Sequence, residues 1–195
     1  MKLTVDGKSY TQPLTMKMDP RIKASEADLE KQFEMEMSSV EGMNESYETL
    51  RQVQSLRAQL KERSGTTKTM PAKLKEGIQA LDTQLAEMEG AAQSAFFGVP
   101  PSGAAGENLS TLNQHFAGLL AVADSADAAP TTQAAAAYQE MQSALETLLA
   151  RWRKLRQNEL ATLNTSLKKA GLAEVDPRKG SANQPGDDSD SEDQP

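Results

Sequence analysis

Residues 134–155 read AAAAYQEMQSALETLLARWRKL, and their apolar spacing decides the fold class. Ala134, Tyr138, Met141, Leu145, Leu148, Trp152 and Leu155 recur at steps of four and three. Steps averaging close to 3.5 residues put an apolar stripe along one side of an α-helix, of the kind that packs on another helix at a shallow angle. Leu29, Phe33, Met37, Val40, Met43, Tyr47, Leu50, Val53, Leu56 and Leu60 follow nearly the same rhythm. Two long seams of this kind predict a helical bundle.

Working outward, the pattern slips once. After Leu155 the seam should continue at residue 159, which is Glu159; Leu160, Leu163 and Leu167 resume it one residue late. Such a stutter is expected to move the apolar face around the helix. The helix is expected to run from about Thr131 to Ala170. Gly171 is its stop, and Lys168 and Lys169 suit the negative end of the helix dipole. A first helix should run from Ser25 to about Arg63, with Ser25 as cap and Asp28 three residues on as a capping-box partner, and Ser64-Gly65 as its stop. Thr69 is expected to cap a second helix, with Pro71 in its first turn, fading near Ala95. Its seam is Leu74, Ile78, Leu81, Leu85 and Met88. A Gly/Pro loop over 96–106 leads to a third helix over about 107–123, carrying Leu109, Leu112, Phe116, Leu119 and Leu120. Residues 124–130 form a turn.

At about 1.5 Å per residue the first and last helices are each about 60 Å long and the middle two about half that. The expected fold is therefore mainly α: an antiparallel up-down four-helix bundle of two long and two short helices. One end would hold four helices and the other a two-helix stalk. Charge suggests which helices meet. Residues 24–50 hold eight acids and one base, Lys31, whereas residues 148–170 hold six bases and one acid, Glu159. Antiparallel docking of the first helix on the last would bring these together, and would place Phe33 beside Leu160–Leu167.

Residues 1–19 differ. Leu3 and Val5 alternate with polar residues, Asp6-Gly7 suits a two-residue type I′ turn, and Leu14, Met16 and Met18 alternate again. This predicts a β-hairpin, with Pro13 pointing to an edge or bulge. Two strands alone are marginal in water, so the piece is expected to be a remnant of a β-sandwich. The domain organisation is thus a hairpin at 1–19, a helical bundle at 20–175 and a disordered acidic tail at 176–195.

The 195 residues carry net charge −7, no Cys and only 4% aromatics. The charge argues against broad nucleic-acid binding, and the missing Cys excludes disulfides and thiolate metal sites. No run approaches the roughly 20 apolar residues of a membrane span, and no signal segment opens the chain. The single histidine, His115, has neither Cys nor a second His to share a zinc ion. The nine Met residues read as core filler. No nucleophile–base arrangement and no phosphate-binding glycine loop is visible. RWRKLR at 151–156 is better read as a seam with flanking bases than as a nucleic-acid or lipid patch. The expectation is no catalytic, cofactor-binding or metal-ligating residue, hence no enzyme activity.

Three stretches carry a resemblance: YTQPLTMKMDPRIKASEADLEKQFEMEM at 10–37, ENLSTLNQHFAGLLAVADSADAAPTTQAAAAYQEMQS at 107–143 and ALETLLARWRKLRQNELATLN at 144–164. They resemble the C-terminal region of bacterial sortilin-like or BNR (Asp-box) repeat β-propeller proteins labelled glycosyl hydrolases. The likeness covers residues 3–176. It implies a non-catalytic helical accessory or interaction domain of a large secreted protein, extracellular or periplasmic, with its own propeller or sandwich, or another protein, as partner. It carries over no catalytic residue, because no Asp-box or propeller blade is present here. It also implies that Met1 is an internal start or a gene-prediction artefact. The alternatives are a free-standing coiled-coil adaptor or chaperone-like protein, and a hydrolase that inherits the family's label.

Overall fold

The computed structural model describes residues 1–15, 17–66, 70–90 and 107–179. It is mainly α, with two long and two short helices packed as a bundle and a two-stranded hairpin at the N-terminus. That is the fold class the seams imply.

Strands β1 (Lys2–Val5) and β2 (Lys8–Thr11) pair antiparallel, with Leu3 opposite Tyr10 and Val5 opposite Lys8. Asp6 and Gly7 both take positive φ, 47° and 74°, as the type I′ turn requires. A reciprocal backbone pair between Met1 and Gln12 closes the open end. The ladder stops there because Pro13 has no N–H to donate. The expected continuation of β2 through Leu14 and Met18 does not form; Met16 lies outside the described residues. Every strand residue is exposed.

Helix α1 (Glu26–Thr66) starts at the expected capping box. The Asp28 backbone N–H donates to Ser25 Oγ at 3.2 Å, and the Ser25 backbone N–H donates back to Asp28 Oδ2 at 3.1 Å. Asp serves here in place of the longer Glu. Helix α2 (Ala72–Glu89) follows Pro71, which is its cap residue rather than part of its first turn; Thr69 lies outside the described residues. The helix ends at Gly90, where φ is 81°, and not near Ala95. The glycine takes a backbone shape that most side chains resist. The expected loop over 96–106 also lies outside the described residues. Helix α3 (Leu109–Ala123) is capped by Asn108, which forms a capping box with Thr111. Helix α4 (Thr132–Leu155) is capped by Thr131. It passes through a π-helical turn (Arg156–Leu160) into α5 (Ala161–Lys169). Gly171 N–H bonds Lys168 O and Leu172 N–H bonds Leu167 O, a Schellman stop at the expected glycine.

The helices are arranged differently from the expected pairing. Helix α2 lies antiparallel along the second half of α1: Arg57 bonds both Asp82 and Glu89. Helix α3 lies antiparallel along the first half: Asn113 Nδ2 donates to Met43 O at 2.8 Å and Gln32 Nε2 to Ala123 O at 3.0 Å. The short helices therefore share one leg end to end, joined where Ser110 Oγ donates to Glu89 O at 2.6 Å. Helices α4 and α5 run back along that leg. Tyr138 meets Phe116 edge-on at 6.4 Å, Arg151 pairs with Glu87 at 2.7 Å, and Leu163 lies beside Gly77.

Because α4–α5 is antiparallel to α2 and α3, it runs in the same direction as α1. The expected antiparallel docking of the first helix on the last is thus overturned, together with the four-helix end and the two-helix stalk. Among the described residues no ion pair joins the acidic half of α1 to the bases of 151–169. Charge does not set the pairing, because each exposed pair contributes about 0–1 kcal/mol, whereas burying one Leu contributes about 1.5–3 kcal/mol. Apolar contacts with α2 and α3 decide the arrangement.

The phase slip in the last helix is the π turn. A step of five residues from Leu155 to Leu160 fits one wide turn, so Leu155, Leu160, Leu163 and Leu167 are all buried. The apolar face is kept in line rather than moved. Beyond α5 the chain folds back. Asn164 exchanges two hydrogen bonds with the Val175 backbone, each at 2.9 Å, and Gln59 does the same with Asp176 at 2.7 and 3.0 Å. Ser55 Oγ bonds Lys179 O and Pro177 is buried, so the packed body extends to Lys179 rather than ending at 175. The rest of the expected tail lies outside the described residues.

Candidate interaction surface

The first half of α1 has two faces. One is turned into the bundle and consists of Gln32, Met35, Ser39, Gly42, Ser46 and Thr49. These residues follow three-four spacing and run directly into Val53, Leu56 and Leu60. They are mostly small or polar, so α3 approaches closely and its own Leu109, Leu112, Phe116 and Leu119 fill the space. The buried polar groups are satisfied locally. Ser39 Oγ donates to Met35 O at 2.7 Å, and Ser46 Oγ donates to Met43 O at 2.9 Å and meets Asn113 Nδ2 at 3.0 Å. Gln32 Oε1 accepts from Ala128 N–H at 3.2 Å, pinning the α3–α4 turn.

The other face carries much of the apolar seam read from the sequence, and it is not in the core. Phe33 is 61% exposed, Met37 45% and Tyr47 51%, with Leu29 and Val40 half-buried. Met43 and Leu50 sit between the two faces and pack against the core from its edge. The Arg51 guanidinium lies 5.9 Å from the Tyr47 ring centre at the lower end of the stripe. Exposed Glu30, Glu34, Glu41, Glu45 and Glu48 follow the stripe along one side, as 3.6 residues per turn requires.

The missed face had a signal. The apolar reading needs three consecutive steps of three, from Tyr47 through Leu50 and Val53 to Leu56, which rotate a stripe around the helix. The buried face needs no such rotation.

His115 is half-buried on α3, with Nδ1 3.7 Å from Glu107 Oε2. No group of three or more His, Cys, Asp or Glu is placed to hold a metal ion among the described residues. No described helix is long and apolar enough to cross a membrane. A groove of about 660 Å³ separates α2 from the π turn and α5, with Leu74, Gly77 and Leu163 on its walls. Glu159 lines it, and its Oε2 is buried without a hydrogen-bond partner among the described residues. Lys73 and Lys169 line the same groove.

Arg57 is the most enclosed charge cluster. Burial lowers the guanidinium's affinity for its proton, but the hydrogen bonds it donates to Asp82 and Glu89 outweigh this and raise its pKa. It ties α1 to α2. No family model, no curated protein and no solved structure matches this chain.

Proposed function

We propose that this chain is a non-catalytic helical interaction module whose contact surface is the α1 stripe of Leu29, Phe33, Met37, Val40 and Tyr47. One observation carries the reading: the first half of α1 buries its mostly small and polar face and leaves Phe33, Met37 and Tyr47 in water, with Leu29 and Val40 half-buried beside them. A helix that needed its large side chains for folding would do the reverse. Contiguous exposed apolar surface rimmed by charge is the usual mark of a protein contact. The resemblance to the helical region of β-propeller proteins supports an accessory role, with the partner drawn from another protein or a β-domain of the same parent.

A photo-crosslinking residue in place of Met37 tests this in the producing cell. Protein adducts at position 37, with none at exposed Thr147 on α4, support the reading. Equal yield at both positions, or none at either, sinks it. Hydrolysis of a glycoside or peptide that survives purification and is lost on a point substitution in this chain would replace it with the enzyme reading.

A further inference from the structure

The α1 stripe is not the only unpartnered apolar surface on the chain. The hairpin register puts Leu3, Val5, Tyr10 and Lys8 on one face and Lys2, Thr4, Ser9 and Thr11 on the other. On the polar face Thr4 Oγ1 and Ser9 Oγ share a hydrogen bond at 3.0 Å. On the apolar face Leu3 is 63% exposed, Val5 49% and Tyr10 58%. Both surfaces are amphipathic, both are uncovered, and their charges are opposite. The hairpin's apolar face carries Lys8, whereas exposed Glu30, Glu34, Glu41, Glu45 and Glu48 flank the stripe.

We infer that the hairpin of one copy docks, apolar face down, on the α1 stripe of a second copy, and that the exchange is reciprocal. The inference rests on the interaction-module reading and names its partner.

Two observations select a second copy. The two surfaces complement each other in polarity and sign, whereas two stripes face to face would set the glutamates of one helix against those of the other. Every strand residue is exposed, so the hairpin does not cover its own stripe. Exchange of an identical element between protomers is a low-cost route to a closed two-fold dimer.

Sedimentation equilibrium of the full chain tests the inference with two variants, Tyr10→Glu on the hairpin and Met37→Glu on the stripe. The expected result is a two-fold larger mass for the wild type than for either variant. An equimolar mixture of the two variants should recover dimer. The intact hairpin of the Met37→Glu copy can then use the intact stripe of the Tyr10→Glu copy. Added salt should weaken the dimer, as the charge complementarity requires. Circular dichroism shows whether each variant keeps its helices; if one does not, Met37→Ala or Tyr10→Ser takes its place.

A wild type that stays monomeric at high micromolar concentration overturns the inference. If Met37 in that monomer resists peroxide only when the hairpin is intact, the occupant is the chain's own hairpin. A dimer lost in Met37→Glu but kept in Tyr10→Glu means that stripes pair with stripes, and the reverse means that hairpin edges pair; either result overturns it. In each of these cases the position-37 crosslink still judges the interaction-module reading separately.

Discussion

Gly42 of α1 and Phe116 of α3 are in direct contact: a Cβ on residue 42 would stand 2.7 Å from two atoms of the phenyl ring. The ring is 1% exposed and lies against Tyr138 on its way into the core, so it has little room to retreat. This contact sets the spacing between α1 and α3. Ala is the better helix former by roughly 0.8–1.0 kcal/mol, but overpacking a filled core costs about 1–3 kcal/mol. Gly42→Ala should therefore lower the stability measured by urea denaturation. An increase would mean that the two helices are not held this closely.

Phe33 and Phe116 should respond in opposite ways to the same change. Phe116→Ala is expected to cost about 3–5 kcal/mol, the range for emptying a buried aromatic site. Phe33→Ala should stay within about 0.5 kcal/mol of wild type in the monomer, as surface changes do. Comparing the two by denaturant unfolding at a concentration too low for association checks the assignment of faces. A large loss at Phe33 would return that residue to the core.

The π turn at Arg156–Leu160 makes deletion position-sensitive. Removing exposed Gln157 should convert the wide turn to an ordinary α turn while Leu155 and Leu160 keep their shared face. Helicity by circular dichroism should be retained. Removing Thr147 instead rotates everything beyond it by about 100°, one residue's turn of the helix, and should collapse the core. Similar losses from both deletions would show that the wide turn does not absorb the extra residue.

The capping box predicts an acid response at one end of α1. The Ser25 hydroxyl, and secondarily its backbone N–H, hold the Asp28 pKa below its ordinary 3.8. A carboxylate with a lowered folded-state pKa contributes stability above the unfolded value, and that contribution is lost as pH falls through the folded one. Amides of the first α1 turn should thus exchange faster below pH about 3.8, where Asp28 takes up its proton. Ser25→Ala should move the Asp28 titration back toward its ordinary position in an NMR titration. An unmoved titration would mean that the box does not form in solution.

Deleting residues 1–18 should leave thermal melting of the bundle nearly unchanged, because every strand residue is exposed. A large fall in the melting temperature of a monomer would show that the hairpin supports the bundle directly.

Much of this architecture is written in local pattern. The helices, their capping residues at Ser25 and Thr131, the Asp6-Gly7 turn and the Gly171 stop follow from rules that act within a few residues. So does the slip after Leu155, since an extra residue in an apolar repeat has to go somewhere within one turn. The local pattern leaves open whether the extra residue rotates the face or widens the turn; contact with α2 requires the second.

Which faces meet is set by packing between helices. The first half of α1 offers two stripes at nearly the same spacing, one large and apolar, the other built around Ser39, Gly42 and Ser46. Local hydrophobicity favours the first as core. The bundle uses the second, because small residues let α3 come close enough for Leu109, Leu112, Phe116 and Leu119 to be buried, and these supply the apolar area that α1 does not. Helix direction was equally out of reach. Lengths are compatible with α1 and α4 running either way, and charge favours the antiparallel choice, but exposed charge is too weakly coupled in water to decide. The choice falls to α2 and α3 lying end to end along α1, a relation between elements that no single segment encodes.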